Sequence, residues 1–283
     1  MSTGIVFEGG GLRGIFAAGV IDYLLDNGII FDHVMGVSAG ACHACSYVSG
    51  QRGRSYAVST DYLDDKRYMS MESLAKTGDL FGVDFIYHKI PEELYPLDNE
   101  HFNESGITFR AGVTNCITGE AEYPVVKDLI EDVDIVRASS SLPLLARMVD
   151  LNGTPYMDGG IADSVPVRAS ESFGCDKNVV VMTRPAGYRK EPEKLTRVIA
   201  MKYRKYPKMV EALKHRDEVY NETMDYIDEG VAKGTIFRIA PMGDLGIGRL
   251  EKDPVKLRKA YLEGYYVTEG LSKKLAEFLG SEK

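Results

Sequence analysis

One serine stands in a setting that is typical of a nucleophile. It lies at the centre of a pentapeptide between an apolar run that predicts a strand over 31–37 and a small-residue run that predicts a helix over 39–48, and the pentapeptide reads Gly36-Val37-Ser38-Ala39-Gly40. The pattern G-x-S-x-G at such a junction is typical of a nucleophile elbow, a strained turn that exposes the serine hydroxyl. We therefore expect Ser38 to be a nucleophile, with the backbone N–H of Ala39 as an oxyanion donor.

A glycine-rich loop precedes this serine and predicts an anion-binding site. It connects a predicted strand over 4–8 to a predicted helix over 15–27, and it reads Gly9-Gly10-Gly11-Leu12-Arg13-Gly14. Glycines allow the backbone to turn sharply and to direct N–H groups outward at the positive end of a helix. The anion is either a phosphate or the oxyanion of an acyl-transfer intermediate. The loop also satisfies G-x-G-x-x-G, so a nucleotide-binding protein that uses it as a phosphate cradle stays open.

The end of the second predicted strand weighs against the dinucleotide interpretation. A dinucleotide-binding fold carries an acidic residue there, which holds the ribose hydroxyls. In this chain that place is taken by the G-x-S-x-G motif, and Asp32 stands near the beginning of the strand. No G-K-[ST] follows the glycines, which excludes a P-loop.

A hydroxyl nucleophile needs a base, and the best candidate in this sequence is an aspartate. Histidine is the usual base, but none of the five histidines lies in a motif-like setting. His43 lies about 140° around the predicted helix from Ser38, so we expect it to point elsewhere. The motif Asp158-Gly159-Gly160 follows a predicted hairpin. We expect Asp158 to be the base, with its pKa raised by partial burial.

The elements around these motifs predict a three-layer α/β/α fold in one domain, residues 1–283. Strand, helix, strand and helix alternate from the first residues onward, as in a doubly wound or similar core. The motif-bearing core spans about 4–185, and a mostly helical C-terminal part spans about 186–283. Further predictions are an insertion over 52–105 that forms part of a lid, a hairpin of 107–116 and 121–126, a helix over 127–141, a hairpin of 145–151 and 154–157 that turns at Asn152-Gly153, and strands over 178–183 and 235–239.

Composition limits the classes of partner. The 283 residues carry a net charge of -8, which argues against a nucleic-acid partner. Four cysteines without regular spacing predict neither a disulfide framework nor a metal site, and Cys42 and Cys45 lack a second cysteine pair. The N-terminus does not resemble a signal peptide, and no apolar run approaches the roughly 20 residues of a membrane span. We expect a soluble, cytoplasmic protein.

One segment departs from the acidic average. Residues 184–216 contain eleven Lys and Arg against three acids, with apolar residues between them. The segment therefore carries +8 and leaves -16 on the remainder of the chain. It is either a solvated helix with its apolar face on the core or a peripheral contact with an anionic membrane.

The three motifs, in this order, resemble those of the patatin-like phospholipase family and its bacterial members in particular. Supporting stretches are Ala138 to Pro143 and Val165-Pro166. Ser164 stands where the family often has Asn. The resemblance covers roughly residues 4–185.

The resemblance implies a lipid acyl hydrolase with a Ser–Asp dyad that needs neither histidine nor calcium, metal or other cofactor. Ser38 would be the nucleophile, Asp158 the base, and the amides of Gly10, Gly11 and Leu12 the oxyanion hole. Arg13 would steady the loop or meet negative charge on the substrate, a lipid ester or phospholipid. A poorly active member that keeps the fold for lipid binding stays open.

Overall fold

The computed structural model describes residues 2–280, and a mixed sheet forms its centre. Its strands are β1 (Thr3–Phe7), β2 (His33–Val37), β3 (Thr108–Asn115), β4 (Ala121–Glu122), β5 (Val125–Val126), β6 (Val149–Leu151), β7 (Thr154–Asp158), β8 (Lys177–Val181) and β9 (Ile236–Ile239). Their order is β6-β7-β3-β2-β1-β8-β9, and the short strands β4 and β5 pair with β3. The five strands from β3 to β9 in this order run parallel, whereas β7 is antiparallel to β3 and to β6.

Helices precede, connect and follow these strands. They are α1 (Ile15–Asp26), α2 (Ala39–Val48), α3 (Arg54–Thr60), α4 (Met71–Thr77), α5 (Asn99–Ser105), α6 (Val133–Ser139), α7 (Val167–Ser172), α8 (Thr196–Lys202), α9 (Pro207–Lys214), α10 (Arg216–Lys233), α11 (Pro254–Gly270) and α12 (Ser272–Leu279), with a π-helix at Asp84–Leu94 and 3₁₀ turns at Gly11–Gly14 and Gly159–Ile161. Within residues 2–280, no helix combines the length and apolar character that crossing a membrane requires.

The sheet lies between two helical layers because its buried strands are apolar on both faces. Along β1, Ile5 and Phe7 pack with α1 and α2, while Val6 points to the opposite face, where α7 and α10 cover it. Strand β8 alternates in the same way. Such continuous apolar runs are what parallel strands need when helices cover both of their faces. The predicted three-layer α/β/α fold is confirmed, as is the helical character of the C-terminal part.

Most predicted elements form where the sequence placed them. The five parallel strands begin and end within two residues of their predicted limits, and the hairpin turn at Asn152 and Gly153 has positive φ angles of 56° and 85°. The 52–105 insertion contains α3, α4, the π-helix and α5. The first three surround a small apolar cluster of their own, whereas Phe102 of α5 packs on the main core. Its motion as a lid stays a prediction.

Two predicted elements are shorter than expected. The helix predicted over 127–141 begins only at Val133, because the carboxylates of Asp128 and Asp132 accept the backbone N–H groups of residues 127, 128, 130 and 131 and hold turns there. The strand predicted from 145 begins at Val149. Residues before it turn back on themselves, since the N–H of Ala146 donates to the carbonyl of Leu142.

Helices α1 and α11 cross at two glycines that bring their backbones into contact. A Cβ atom on Gly264 would lie 2.0 Å from the carbonyl oxygen of Phe16, and one on Gly19 would lie 1.9 Å from that of Tyr261. No side chain fits in either place without moving a helix. The crossing joins the C-terminal part to the first helix after the glycine loop.

Replacing Gly264 therefore tests this crossing. We expect Gly264→Ala to lower the free energy of unfolding by about 1–3 kcal/mol, because overpacking against backbone outweighs the higher helix propensity of alanine. Gly270→Ala at the end of the same helix is the matched control, since no atom of the described part of the chain lies within 4 Å of its Cβ position. Urea denaturation measures both; equal stability of the two variants would contradict the close crossing.

Candidate active site

Ser38 occupies a strained turn between β2 and α2. Its φ and ψ are 55° and -127°, a combination that costs a non-glycine residue on the order of 1–3 kcal/mol. Gly40 permits the turn, because a Cβ atom there would lie 2.4 Å from the carbonyl oxygen of Phe7. The strand-to-helix geometry predicted for the pentapeptide is present.

A hydrogen-bond relay holds the backbone of Ser38. Its N–H donates to the hydroxyl of Ser139 over 2.9 Å, and that hydroxyl donates to the carbonyl of Gly112 over 2.6 Å. Ser139 is fully buried at the end of α6, so the relay ties the turn to α6 and β3. In the sequence, Ser139 belongs only to a supporting stretch, and no local pattern predicts this contact.

Asp158 ends β7 with its carboxyl group buried beside this turn. Its Oδ1 accepts the N–H of Gly160 over 2.8 Å, and its own N–H donates to the carbonyl of Ser141 over 2.9 Å. Its Oδ2 is buried and has no hydrogen-bond partner in residues 2–280. The carboxyl group therefore has one oxygen that fixes its orientation and one that is free to accept a proton.

Burial is the main reason that the pKa of Asp158 is raised. The charge of Arg216 and the nearby hydroxyl of Ser38 act in the opposite direction and lower this pKa. The Ser38 hydroxyl lies close enough to do so, but it makes no direct hydrogen bond to Asp158 in this conformation. The structure thus places the predicted nucleophile and the predicted base side by side.

The glycine loop offers fewer free donors than the sequence suggests. The N–H groups of Gly10, Gly11 and Ala39 make no hydrogen bond to any residue in the described range. The N–H of Leu12, by contrast, donates to the carbonyl of Arg249 over 3.1 Å, which argues against Leu12 as an oxyanion donor in this conformation. The same carbonyl would lie 2.7 Å from a Cβ on Gly11, whose φ is +58°.

The D-G-G turn is held by the residue that departs from the family pattern. The hydroxyl of Ser164 donates to the carbonyl of Gly160 over 3.1 Å, and the carbonyl of Ser164 accepts the N–H of Gly9 at a long 3.4 Å. A serine therefore supports the turn at this position and connects it to the glycine loop.

A buried glutamate joins the beginning of the loop to the C-terminal part. Glu8 accepts hydrogen bonds from the N–H and hydroxyl of Thr183, and its second oxygen accepts the hydroxyl of Tyr220 over 2.8 Å. Tyr220 belongs to α10. No sequence signal marked this pair, because 212 residues separate its members.

A cavity of about 740 Å³ opens in front of Ser38 and Asp158. Arg13 lines it and is nine-tenths buried, with a buried Nε that has no partner in residues 2–280. Burial, together with the neighbouring Arg184 and Arg249, lowers the pKa of Arg13 to about 10. Arg13 therefore contributes positive charge to the cavity, and no salt bridge joins it to an acidic residue in the range 2–280.

His43 does not take part in this arrangement. Its ring packs beneath Gly14, with Nε2 2.9 Å from the Cβ position of that glycine, and forms no hydrogen bond to a described residue. Burial lowers its pKa to about 4, so the ring is neutral at pH 7.

These features define an α/β protein with a serine at a strand-to-helix elbow and a buried carboxylate beside it. Residues 5–170 match the sequence model of the patatin-like phospholipase family, and residues 206–280 match a domain of unknown function, DUF6363. The first match covers more than half of the chain. The chain belongs to the patatin-like phospholipase family.

Several known proteins are similar to the chain. The chain is 28% identical to the uncharacterized protein YjjU of Escherichia coli, over 96% of this chain and 79% of YjjU. It is 26% identical to the lysophospholipase NTE1 of Saccharomyces cerevisiae over 62% of this chain, and the match spans 10% of that longer protein. Among solved structures, VipD from Legionella pneumophila aligns with a TM-score of 0.49 at 15% identity, over 96% of this chain and 67% of VipD.

The bond between Tyr220 and Glu8 gives a test of how the C-terminal part supports the site. We expect Tyr220→Phe to lower the free energy of unfolding by about 1.5–3 kcal/mol, because it leaves a buried carboxylate oxygen without its donor. Tyr226→Phe, also in α10, removes the bond to the more exposed Glu171 and serves as the matched control. Thermal unfolding that changes equally in both variants would contradict the role of the buried pair.

Proposed function

We propose that the protein is a lipid acyl hydrolase in which Ser38 attacks the ester and Asp158 is the base. The observation that carries the proposal is the buried Oδ2 of Asp158, which has no hydrogen-bond partner among residues 2–280 and lies next to a serine held on a strained turn. Membership of a phospholipase family supports an ester of a lipid as the substrate class. The lysophospholipase named among the relatives fits the same class.

The proposed reaction has two halves. Asp158 takes the proton of Ser38 as the hydroxyl oxygen attacks the ester carbonyl, and the amides of Gly10, Gly11 and Ala39 stabilise the oxyanion. The alcohol leaves with the proton from Asp158. Water then attacks the acyl-enzyme, with Asp158 as base again, and releases the fatty acid. Leu12 is left out of this proposed oxyanion hole because its N–H already donates to the carbonyl of Arg249.

The nucleotide-binding alternative is less well supported. The glycine loop packs against the carbonyl of Arg249 at Gly11 and Leu12. This contact reduces the number of free N–H groups that the loop could offer to a chain of phosphates. A poorly active lipid-binding protein is distinguished from a hydrolase by turnover alone.

Substitution of the two proposed catalytic residues tests the mechanism. We expect Ser38→Ala and Asp158→Asn each to lower kcat for 4-nitrophenyl butyrate at least about 10³-fold, because the two groups act as a unit. Asp163→Asn is the matched control, since this nearby carboxylate bonds Tyr123 and Val165 instead. Full activity in Asp158→Asn would contradict the dyad. A fluorophosphonate probe that still labels Ser38→Ala would contradict the nucleophile.

The pH dependence of the rate tests the electrostatics of Asp158. The carboxylate form of Asp158 is the base, and burial raises its pKa above the ordinary 3.8. We therefore expect kcat/KM to fall as the pH is lowered, with the midpoint of this acidic limb above pH 3.8. Arg216→Gln removes a charge that lowers this pKa, and we expect it to move the acidic limb to higher pH. Arg258→Gln, an exposed arginine outside the cavity, is the control. A limb that stays in place or moves to lower pH in Arg216→Gln would argue against Asp158 as the titrating base.

The basic segment 184–216 is proposed to contact anionic membranes at the mouth of the cavity. Part of its apolar surface does pack on the core, through Ile199, Met209 and Leu213. Three other apolar side chains stay exposed among its cations, namely Leu195, Val198 and Met201. Lys194 and Leu195 also line the cavity. Apolar and basic groups exposed together favour an interfacial contact.

Charge reversal tests this contact. We expect the combined variant Lys194→Glu, Arg197→Glu and Lys202→Glu to bind vesicles that contain phosphatidylglycerol at least about tenfold more weakly, since each cation near an anionic surface contributes about 1 kcal/mol. The control variant reverses the exposed Lys252, Lys259 and Lys274. It changes the net charge of the protein by the same amount, but at a different place on the surface. Equal loss of cosedimentation in both variants would remove the proposed contact.

A further inference from the structure

The three residues of the D-G-G turn are held from two directions. The hydroxyl of Thr114 in β3 donates to the carbonyl of Asp158 over 2.9 Å and lies 3.3 Å from the carbonyl of Gly159. The carbonyl of Gly160 instead accepts the hydroxyl of Ser164 over 3.1 Å. The sheet therefore holds the first two residues of the turn, and Ser164 holds the third.

Gly160 sets the orientation of the proposed base. Within residues 2–280, its N–H is the one hydrogen-bond donor to Oδ1 of Asp158, at 2.8 Å. A Cβ atom on Gly160 would lie 3.0 Å from the same oxygen, so the two residues are in close contact. A rotation of Gly160 would turn the carboxyl group and displace its Oδ2, the oxygen that we propose to take the proton of Ser38.

The Ser164 hydroxyl has no fixed direction of its own. A serine hydroxyl rotates about its C–O bond, donates one proton and accepts at its lone pairs. Lys190 removes this freedom, because its Nζ donates to Oγ of Ser164 over 3.3 Å. With a donor on that side of the oxygen, the hydroxyl proton is directed away from Lys190 and toward the carbonyl of Gly160.

Helix α10 holds Lys190 at both ends of its side chain. Asn221 of this helix accepts the backbone N–H of Lys190 over 2.8 Å and donates to its carbonyl over 3.1 Å. The Nζ atom lies 4.0 Å from the centre of the Tyr220 ring, a distance at which an amino group and an aromatic face attract each other. The contact with Ser164 is therefore made by a side chain whose position is already determined.

The contact does not depend on the charge of Lys190. Burial, followed by the charge of Arg216, lowers the pKa of Lys190, whereas the charge of Glu8 raises it. Both the ammonium and the neutral amine carry an N–H group, so either form has a proton to donate to Ser164.

Lys190 lies between the two segments that match family models, residues 5–170 and 206–280, and its contacts join them. It donates to Ser164 of the first segment, and Asn221 of the second segment holds its main chain. The C-terminal part thereby reaches the turn that carries the proposed base.

We propose that Lys190 is a positioning residue for the base Asp158. It acts through two intermediaries, the hydroxyl of Ser164 and the main chain of Gly160. The proposal rests on the proposed hydrolase function and adds to it a residue that does not touch the reacting atoms. Loss of the amino group releases the hydroxyl, loosens Gly160 and lets the carboxyl group turn away from Ser38.

Removal of the amino group tests this role. We expect Lys190→Met to lower kcat for 4-nitrophenyl butyrate at least about tenfold and to leave KM within about twofold, because a displaced base weakens the transition state and not the binding of the ester. Lys177→Met is the matched control. Lys177 also donates to a carbonyl, that of Phe278, and lies over an aromatic ring, but it is not part of the cavity wall.

The control separates positioning from a loss of stability. We expect both variants to unfold at a lower temperature than the wild type and only Lys190→Met to lose kcat. An unchanged kcat in Lys190→Met, or an equal loss in both variants, overturns the proposal. Should Lys190→Met not fold, Lys190→Gln, whose side chain is one atom shorter, takes its place with the same expected results.

A second substitution tests the route through Ser164. Ser164→Ala removes the hydroxyl, so we expect a loss of kcat similar to that of Lys190→Met. Adding Lys190→Met to Ser164→Ala should cause no further loss, since substitutions along one chain of contacts are not additive. Losses of kcat that multiply in the double variant overturn the route.

The backbone amide of Gly160 distinguishes failure of this proposal from failure of the hydrolase function. If the wild-type protein hydrolyses no ester, the hydrolase function fails, and the amide NMR spectrum still decides the positioning role. We expect the Gly160 resonance to move in Lys190→Met and to keep its place in Lys177→Met, because only the first variant alters the hydrogen bond to Oδ1 of Asp158. A Gly160 resonance that coincides in the wild type and both variants overturns the role.

Discussion

The hydrogen bond from the N–H of Ser38 to the hydroxyl of Ser139 is the interaction on which the site depends. Ser38 has a backbone conformation that no isolated non-glycine residue prefers, and such strain persists only where the surroundings determine it. Ser139 supplies that restraint from α6 and passes it to the carbonyl of Gly112 in β3. The sheet and α6 together therefore fix the direction of the Ser38 side chain, and Asp158 ends the neighbouring strand β7, within reach of that side chain.

The C-terminal part is built into this arrangement. The carbonyl of Arg249 holds the glycine loop at Leu12, Tyr220 holds Glu8 at the beginning of that loop, and Arg216 lowers the pKa of Asp158. Strand β9 extends the sheet beside β8, and α11 crosses α1 at contacting backbones. A segment that matches a domain of unknown function thus supplies contacts to the loop, the electrostatics and the cavity of a phospholipase-family core.

Local patterns in the sequence were sufficient to predict the fold and to nominate the two proposed catalytic residues. The elbow at Ser38, the turn at Asp158 and the buried strands are each encoded within a few neighbouring residues, so their patterns can be read directly. Contacts between distant residues could not be read in this way. Tyr220 with Glu8 and Arg249 with Leu12 depend on how α10 and the loop after β9 return to the sheet. The occupied amide of Leu12 is the clearest consequence, because a motif alone does not show which donors another segment already uses.

A trapped acyl-enzyme tests the central claim most directly. Wild-type protein is mixed with 4-nitrophenyl butyrate, quenched in acid within milliseconds, digested and analysed by mass spectrometry. We expect a butyryl group on Ser38, in an amount that decreases as the substrate is exhausted. Turnover with a butyryl group on a different residue, or with none on any residue at early times, would contradict Ser38 as the nucleophile.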